Sequence, residues 1–288
     1  MKQKIKSLSD FPFSLGVPAI LWQVLFFYLP LLFLLVSSFI VISETGLIKF
    51  TFQKIVVFFQ PLYLKIIFSS IALGLSNVVL CFLIAYPLAY FLAFRSKKWK
   101  NVMFFFIIIP FWTNFLLHVY AWFFVLEKEG FINNLLRTLG VIETPIHFLN
   151  SIFSIMIMMV YYYLPFMLFP IYASLEKFDR KLIEASLDMG ASFTHTLRRI
   201  VLPLSMGGIR SGFFLVYVPS FAEFAIPELM GGNKQMFVGN AISLYILGEE
   251  TGEFGAAFTV VSILFLLISA IFFYKLIRKL LMRTRRYA

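Results

Sequence analysis

The sequence predicts an all-α, polytopic membrane protein with six membrane-spanning helices. Hydrophobic residues make up 61% of the 288 residues, and 38 residues are Phe. A soluble domain of this length could not bury that much apolar surface. The chain also contains six apolar runs, each of which reaches the length of about 20 residues that crosses the hydrocarbon core of a bilayer as a helix.

The six apolar runs follow one another without a linker, a low-complexity tract or an obvious internal repeat, which predicts one membrane domain. They cover residues 18–42, 66–94, 102–126, 148–175, 206–229 and 256–280. No small-residue cleavage site closes the first run, so we expect it to be a retained helix. Several runs contain proline, which membrane helices tolerate when neighbouring groups satisfy the freed carbonyls.

The distribution of Lys and Arg predicts the orientation of the chain, because these residues concentrate in cytoplasmic loops. Most of the 25 basic residues lie before the first run, after the second, after the fourth and at the C-terminal end. Most acidic residues, including Glu249 and Glu250, lie in the other loops. Both termini and the loop after the fourth run are therefore expected to be cytoplasmic.

That loop contains a charged segment, residues 181–204, which predicts two short amphipathic helices separated by a hinge. Arg180, Glu184 and Asp188 fall at i, i+4 spacing and can form ion pairs. Gly190 is expected to end the first helix, and a second begins near Ser192. The alternative is a solvated loop that only connects two membrane helices. A simple connector, however, does not need two amphipathic helices and a hinge glycine. The pattern favours a unit that docks into another protein.

The 181–204 segment resembles the EAA signature of ABC-importer permeases, in which EAA, a Gly and an I-x-L-P motif recur at fixed spacing. Ser186 stands where that signature has alanine. The resemblance implies a type I ABC-importer permease fold in which this segment is the coupling helix that docks into an ATP-hydrolysing subunit. The residues that it assigns to coupling are Glu184, Ala185, Ser186, Gly190, Ile200, Leu202 and Pro203.

The sequence contains no motif for catalysis, for ATP binding or for a metal site. No G-x-x-x-x-G-K-[ST] loop, H-E-x-x-H motif or G-x-S-x-G elbow is present. The single cysteine, Cys81, excludes an intrachain disulfide, and His118 is expected to be a packing or pore residue. We therefore predict that the chain is not an enzyme, holds no cofactor and does not bind ATP itself. The resemblance to ABC-importer permeases implies that ATP and Mg²⁺ are used by a partner ATPase present in two copies.

A carboxylate in the fifth run, Glu223, is the main candidate for contact with a solute. It lies between Pro219 and Pro227, and a carboxylate within a membrane helix normally faces a cavity or a partner. A position in water near the outer interface is the alternative. A cavity carboxylate suits a cationic solute, and aromatic faces would add cation–π attraction. The other path candidates, each of which could instead be a packing residue, are Trp112, Asn114, Tyr217 and Phe221.

Further stretches resemble the spermidine/putrescine branch of these permeases. They are 110–114 (PFWTN), 120–122 (YAW), 163–166 (YLPF) and 223–232 (EFAIPELMGG). The resemblance implies a polyamine permease in the bacterial inner membrane, with a second, homologous permease subunit and a soluble polyamine-binding protein as partners. Lipid surrounds it, and no nucleic-acid partner is expected. It also divides the chain into an N-terminal segment (1–61), a permease core (62–274) and a basic tail (275–288).

Three alternatives remain open from the sequence. The first is an ABC-importer permease for another small solute, such as an anion or a metal complex. The second is a secondary transporter driven by an ion gradient, which would need no ATPase. The third is a membrane scaffold with a docking loop and no pore.

Overall fold

A computed structural model describes residues 16–42, 48–95, 99–248 and 252–282 of the chain. The predicted basic N-terminal segment before residue 16, the loop residues Glu249 and Glu250, and the end of the basic tail lie outside these residues. The chain divides into two compact units. One is formed by Met1–Gln60 with Leu244–Val261, and the other by Pro61–Ser243 with Ser262–Ala288. Both are mostly helical, as predicted.

The first unit begins with an apolar helix that contains no buried residue. It consists of α1 (Val17–Gln23), a π-helical stretch (Val24–Tyr28) and α2 (Leu29–Ser37). The predicted span to residue 42 is too long, because Ile40–Ile42 forms strand β1 and pairs antiparallel with β2 (Ile48–Phe50). Three consecutive β-branched residues favour a strand over a helix. The all-α prediction was wrong for this hairpin.

Two buried side chains, Lys54 and Phe58, hold the segment that follows the hairpin in the first unit. Lys54, in the short helix α3 (Gln53–Val57), is buried and its Nζ donates to the carbonyl oxygen of Ile40 at 2.6 Å. Phe58 is also buried, with its ring 5.0 Å from that of Phe258. A buried lysine that is hydrogen-bonded to a backbone carbonyl holds α3 against the end of β1.

The second unit contains the remaining helices. They are α4 (Pro61–Phe94), α5 (Lys100–Trp112), α6 (Phe115–Leu126), α7 (Phe131–Thr138), α8 (Ile152–Glu176), α9 (Lys181–Asp188), α10 (Phe193–Thr196), α11 (Leu202–Leu204), α12 (Met206–Phe221) and α13 (Ala225–Gly231), followed by parts of α14 (Val238–Leu247) and α15 (Gly252–Met282). A π-helical stretch, Leu197–Val201, joins α10 to α11, and a 3-10 turn, Gly232–Lys234, follows α13.

By length and composition, four helices of the described chain can cross a membrane, or up to six spans if two bent helix pairs each count as one. The four helices that are each long and apolar enough are Val17–Ser37, Pro61–Phe94, Ile152–Glu176 and Phe254–Lys279. The pair α5 and α6–α7 bends by 103°, and the pair Phe193–Leu204 and α12 bends by 68°. The number of six spans stays a prediction.

Two of the predicted runs are broken rather than continuous. The run 102–126 bends between Trp112 and Phe115, where the Asn114 side chain accepts a hydrogen bond from the Leu116 backbone N–H at 2.8 Å and starts a new helix. The run 206–229 ends its first helix at Phe221 and restarts at Ala225. In each case a proline within the run, Pro110 or Pro219, removes a backbone donor close to the break.

Small residues on α12 let it approach α8 closely. A Cβ added to Gly208 would lie 2.3 Å from the Pro170 carbonyl oxygen, and one added to Gly212 would lie 2.7 Å from the Met167 sulfur. Glycines four residues apart place two helix backbones in direct contact, which is a common basis of helix packing in membranes. The interior of this unit is built around α4, α8 and α12, and its buried side chains come largely from these helices.

We expect Gly208→Ala to destabilise the protein by about 1–3 kcal/mol, the usual cost of overpacking a tight interior. The added methyl group meets backbone atoms of α8, the Pro170 oxygen and the Ile171 Cα at 2.8 Å, and these cannot move aside as a flexible side chain could. Gly207→Ala is the matched control, because a Cβ there meets nothing within 4 Å. Thermal unfolding of the two variants in detergent measures the difference, and equal melting temperatures would contradict the close contact.

Candidate functional site

The 181–204 segment contains two short helices joined by a glycine turn, as the sequence predicted. After α9, the N–H of Gly190 donates to the Leu187 carbonyl at 2.9 Å and that of Ala191 donates to the Ser186 carbonyl at 3.1 Å. This pair of bonds is a Schellman motif, which needs a left-handed residue, and Gly190 has φ +83°. The Ser192 side chain then caps α10 by accepting from the His195 N–H at 3.3 Å.

A hydrogen bond between side chains fixes the two helices of this segment to each other. The hydroxyls of Ser186 and Thr196 lie 2.9 Å apart, and both residues are buried. The sequence interpretation treated Ser186 only as a small residue in place of alanine. The structure gives its hydroxyl a partner, so this departure from the signature is matched by Thr196 ten residues later.

The other predicted coupling residues differ in their exposure. Glu184, Ala185 and Gly190 are exposed, whereas Ile200, Leu202 and Pro203 are half-buried. Pro203 does not end the helix at its own position. Helix α11 continues to Leu204, and the chain bends at Ser205. Pro203 lies in the last turn of the continuous helical stretch Phe193–Leu204, so its missing N–H weakens the helix close to the bend.

Polar contacts connect the 181–204 segment and the end of α8 to neighbouring helices. Arg180 Nη1 donates to the Phe94 carbonyl at the end of α4 at 3.3 Å, and Arg180 Nε lies 3.2 Å from Glu184 Oε1. This confirms one of the predicted ion pairs. At the start of α5, Lys100 Nζ lies 2.5 Å from Glu176 Oε1. Arg180, Glu184 and Glu176 are exposed and Lys100 is partly exposed, so each pair adds at most about 1 kcal/mol. Together these contacts join α4, α5 and α8 at the end that carries the segment.

Glu223 lies in the break between α12 and α13 and is partly buried. Its Oε2 accepts a hydrogen bond from the Tyr163 hydroxyl of α8 at 2.5 Å. Its Oε1 accepts from the backbone N–H groups of Ala225 at 3.1 Å and Ile226 at 3.4 Å, the first turn of α13. A carboxylate has about four acceptor positions, so three bonds hold its orientation and leave capacity for an ammonium group.

The structure does not bring the predicted path residues together. Tyr217 is fully buried and its hydroxyl lies 2.7 Å from Ser269 Oγ, while Phe221 is 2% exposed. Trp112 is 78% exposed at the end of α5, and Asn114 uses its side chain to cap α6. Among the described residues, the hydrogen bonds of the Glu223 side chain go to Tyr163, Ala225 and Ile226 and not to these four. Their place in a solute path stays a prediction, and the burial of Tyr217 and Phe221 favours packing.

His118 joins the bend between α5 and α6 to α8. Its Nε2 lies 3.0 Å from the Pro110 carbonyl oxygen and also contacts the Thr113 hydroxyl. Its Nδ1 lies 2.9 Å from the Tyr161 hydroxyl. A carbonyl can only accept, so Nε2 carries the proton when it bonds Pro110, and Nδ1 then accepts from Tyr161. His118 therefore stabilises the bend, in agreement with the packing interpretation of the sequence.

A family model for the binding-protein-dependent transport system inner membrane component matches residues 85–283. The chain belongs to this permease family. It is 37% identical over 255 residues to the spermidine/putrescine transport system permease protein PotB of Salmonella typhimurium (strain SL1344). The matched region covers 88% of this chain and 89% of the relative. The chain is 38% identical over 238 residues to PotB of Escherichia coli (strain K12), which covers 82% and 86%.

A solved structure shows the same fold. The permease resembles a chain of a bacterial ABC transporter that imports the acidic polysaccharide alginate, with a TM-score of 0.71 over 93% of this chain and 94% of that chain. Sequence identity is 16%, so this likeness concerns the fold alone. It supports the predicted ABC-importer permease architecture.

The permease also contains a buried polar seam that the sequence interpretation missed. Asn77 Nδ2 on α4 donates to Ser220 Oγ on α12 at 2.7 Å, and the Cys81 sulfur lies 3.5 Å from Asn77 Oδ1. Two helical turns before Asn77, the Ser70 Oγ accepts a hydrogen bond from the Val238 N–H at 2.8 Å. Ser70, Asn77 and Cys81 recur at helical spacing within an apolar run, and this spacing could have predicted a line of buried polar contacts. Such bonds between membrane helices contribute about 0.6–2 kcal/mol each.

The described residues contain no group of three or more His, Cys, Asp or Glu side chains that could hold a metal ion.

Proposed function

We propose that this chain is the transmembrane permease subunit of an ATP-driven ABC importer that carries polyamines such as spermidine and putrescine. The identity of 37–38% to spermidine/putrescine permeases over more than four fifths of the chain carries the proposal. The fold does not decide the solute, since a protein of the same fold imports an acidic polysaccharide. The chemistry of the helix break favours a cation.

The carboxylate of Glu223 is the group that receives the solute's ammonium. Its bonds to Tyr163 and to the first turn of α13 hold it in place before the solute arrives, so little reorganisation is needed on binding. An ammonium at about 4 Å gains roughly 4 kcal/mol at an effective dielectric constant of 20, before the loss of its own hydration. An anionic solute would be repelled by a similar amount.

The 181–204 segment is the surface that receives force from an ATPase. Large apolar side chains are exposed around its glycine turn: Leu187 is 42% exposed, Met189 82% and Phe193 50%. Apolar side chains concentrated on a short exposed loop indicate a protein interface. Two ATPase subunits, which bind the ATP and Mg²⁺, pull on this segment and on its counterpart in a second, homologous permease subunit, and so open the path alternately to each side.

The permease lies in the bacterial inner membrane with both termini in the cytoplasm, and it receives the polyamine from a soluble binding protein on the other side. The concentration of Lys and Arg at the end that carries the 181–204 segment supports this orientation. Within the chain, residues 62–274 form the permease core, 1–61 add the first span and its outer loop, and 275–288 form the basic tail.

Purification and uptake test the proposal together. The tagged chain, isolated in mild detergent from its own cells, is expected to bring with it an ATPase, a second permease subunit and no enzyme of unrelated function, as identified by mass spectrometry. Cells that lack the chain should lose uptake of radiolabelled putrescine and spermidine and keep uptake of sulfate and phosphate. An assembly without an ATPase, or uptake that survives the deletion, would contradict the proposal.

A further inference from the structure

Arg210 is a cation whose charge the described residues leave uncompensated. It lies in the second turn of α12, directly after the 181–204 segment. Its Nη1 donates to the Tyr274 hydroxyl oxygen at 3.5 Å, and its guanidinium carbon lies 5.6 Å from the centre of the Tyr274 ring. Its Nε is buried and makes no hydrogen bond. Among the described residues, no carboxylate forms an ion pair with Arg210.

These contacts are weak for a guanidinium at the edge of a membrane. A donor–acceptor distance of 3.5 Å is at the outer limit of hydrogen bonding, and Arg within or beside a membrane span almost always pairs with an anion or with several acceptors. With Nε enclosed, only the terminal nitrogens of Arg210 remain for an external partner. The described residues therefore give the Arg210 charge no anionic partner.

More positive charge follows Tyr274 along α15. Lys275, Arg278 and Lys279 are all exposed, and Arg278 lies one turn beyond Tyr274 on the same helix face. The apolar part of α15 ends at Lys279, so Tyr274 and Arg278 sit at headgroup depth, where Tyr, Lys and Arg are typical. Helical spacing places Arg278 on the Tyr274 face of α15, and two cations cannot neutralise each other.

An apolar surface continues from this cluster towards the middle of the membrane. The Phe214 ring of α12 lies 5.8 Å from the Tyr274 ring and is 37% exposed. Ile271, one turn before Tyr274 on the same face of α15, is 53% exposed. A ligand with a charged head and an apolar chain matches the two surfaces at once, whereas a free phosphate or a soluble carboxylate would use the charged part alone.

We propose that Arg210, Tyr274 and Arg278 bind the phosphate of an anionic phospholipid, whose acyl chain lies along Phe214 and Ile271. Arg binds phosphate oxygens through paired N–H donors, and basic pockets between membrane helices on the cytoplasmic side are known lipid sites. The bound lipid bridges α12 and α15 next to the 181–204 segment. This site is independent of the solute that the permease carries.

Native mass spectrometry of the purified full-length chain tests the site. Phosphatidylglycerol and phosphatidylcholine with the same acyl chains are titrated into the detergent solution, and the first bound lipid is counted. We expect phosphatidylglycerol to bind at least about tenfold more tightly than phosphatidylcholine. Arg210→Gln should weaken phosphatidylglycerol binding by about tenfold, since a charge-assisted hydrogen bond is worth about that factor, and should leave phosphatidylcholine binding unchanged.

Lys128→Gln is the matched control, because Lys128 is exposed and lies away from the cluster, before α7; it should not change lipid binding. Arg278→Gln keeps the test available if Arg210→Gln fails to fold, since Arg278 is exposed. Equal binding of the two lipids, or an equal loss in Lys128→Gln, would overturn the site. Displacement of phosphatidylglycerol by millimolar inorganic phosphate would assign the cluster to a soluble anion and overturn the lipid proposal.

Discussion

Replacement of Gly190 by alanine is expected to lower coupled uptake by about tenfold or more. Gly190 has φ +83°, and a Cβ there meets nothing within 4 Å, so the effect comes from the backbone conformation alone. A left-handed backbone costs a residue with a Cβ about 1–2 kcal/mol. We expect the segment to relieve that strain by opening the turn, which would move the exposed Met189 and the following helix away from the position in which, under the proposed function, they contact an ATPase.

Uptake of radiolabelled putrescine by cells and ATP hydrolysis by the purified assembly measure this effect. We expect hydrolysis to continue while uptake falls, since the coupling is lost rather than the ATPase. Gly140→Ala is the matched control, because Gly140 also has a positive φ, +68°, and open space around it. Gly190→Asn should retain more uptake than Gly190→Ala, because Asn tolerates the left-handed region. Equal uptake in the Gly190→Ala and Gly140→Ala variants would show that the glycine turn has no coupling role.

The local structure of the 181–204 segment could be predicted from sequence because nearby residues determine it. The glycine turn, the Ser192 cap and the Arg180–Glu184 pair each depend on residues within about four positions of one another. The bond between Ser186 and Thr196 spans ten residues and depends on the angle between two helices. No local pattern specifies that angle, so the partner of Ser186 could not be identified.

The helix bends and the burial of the aromatics could not be predicted, for two different reasons. Proline indicates where a helix is weak, but the 103° bend at Asn114 depends on His118 and Tyr161, which meet only in the folded chain. Aromatic residues make up 19% of the chain and occur on every face of its helices. Composition therefore could not show that Tyr217 faces the interior while Trp112 is exposed.

Replacement of Glu223 by glutamine is expected to raise the putrescine concentration for half-maximal uptake by about 10- to 100-fold. The amide keeps the size of the side chain, and its oxygen can still accept from the Ala225 N–H, so α13 keeps its first turn. The negative charge is lost, and the amide NH2 replaces the oxygen that accepts from the Tyr163 hydroxyl, which can turn to accept from the NH2 instead. The attraction of roughly 4 kcal/mol between a carboxylate and an ammonium is an upper limit, because the ammonium also loses its hydration, and the expected change corresponds to about 1.4–2.8 kcal/mol.

Glu228→Gln is the control that shows whether uptake depends on the Glu223 charge itself or on any nearby negative charge. Glu228 is an exposed carboxylate on helix α13, which begins two residues after Glu223, and it accepts a hydrogen bond from the Asn240 side chain at 2.7 Å. Its replacement should leave putrescine uptake within about twofold of the wild type. Tyr163→Phe removes one donor to Glu223 but leaves the carboxylate charged, so its effect should be smaller than that of Glu223→Gln. If Glu223→Gln and Glu228→Gln transport putrescine equally well, the Glu223 carboxylate serves only to start helix α13, and the solute does not bind there.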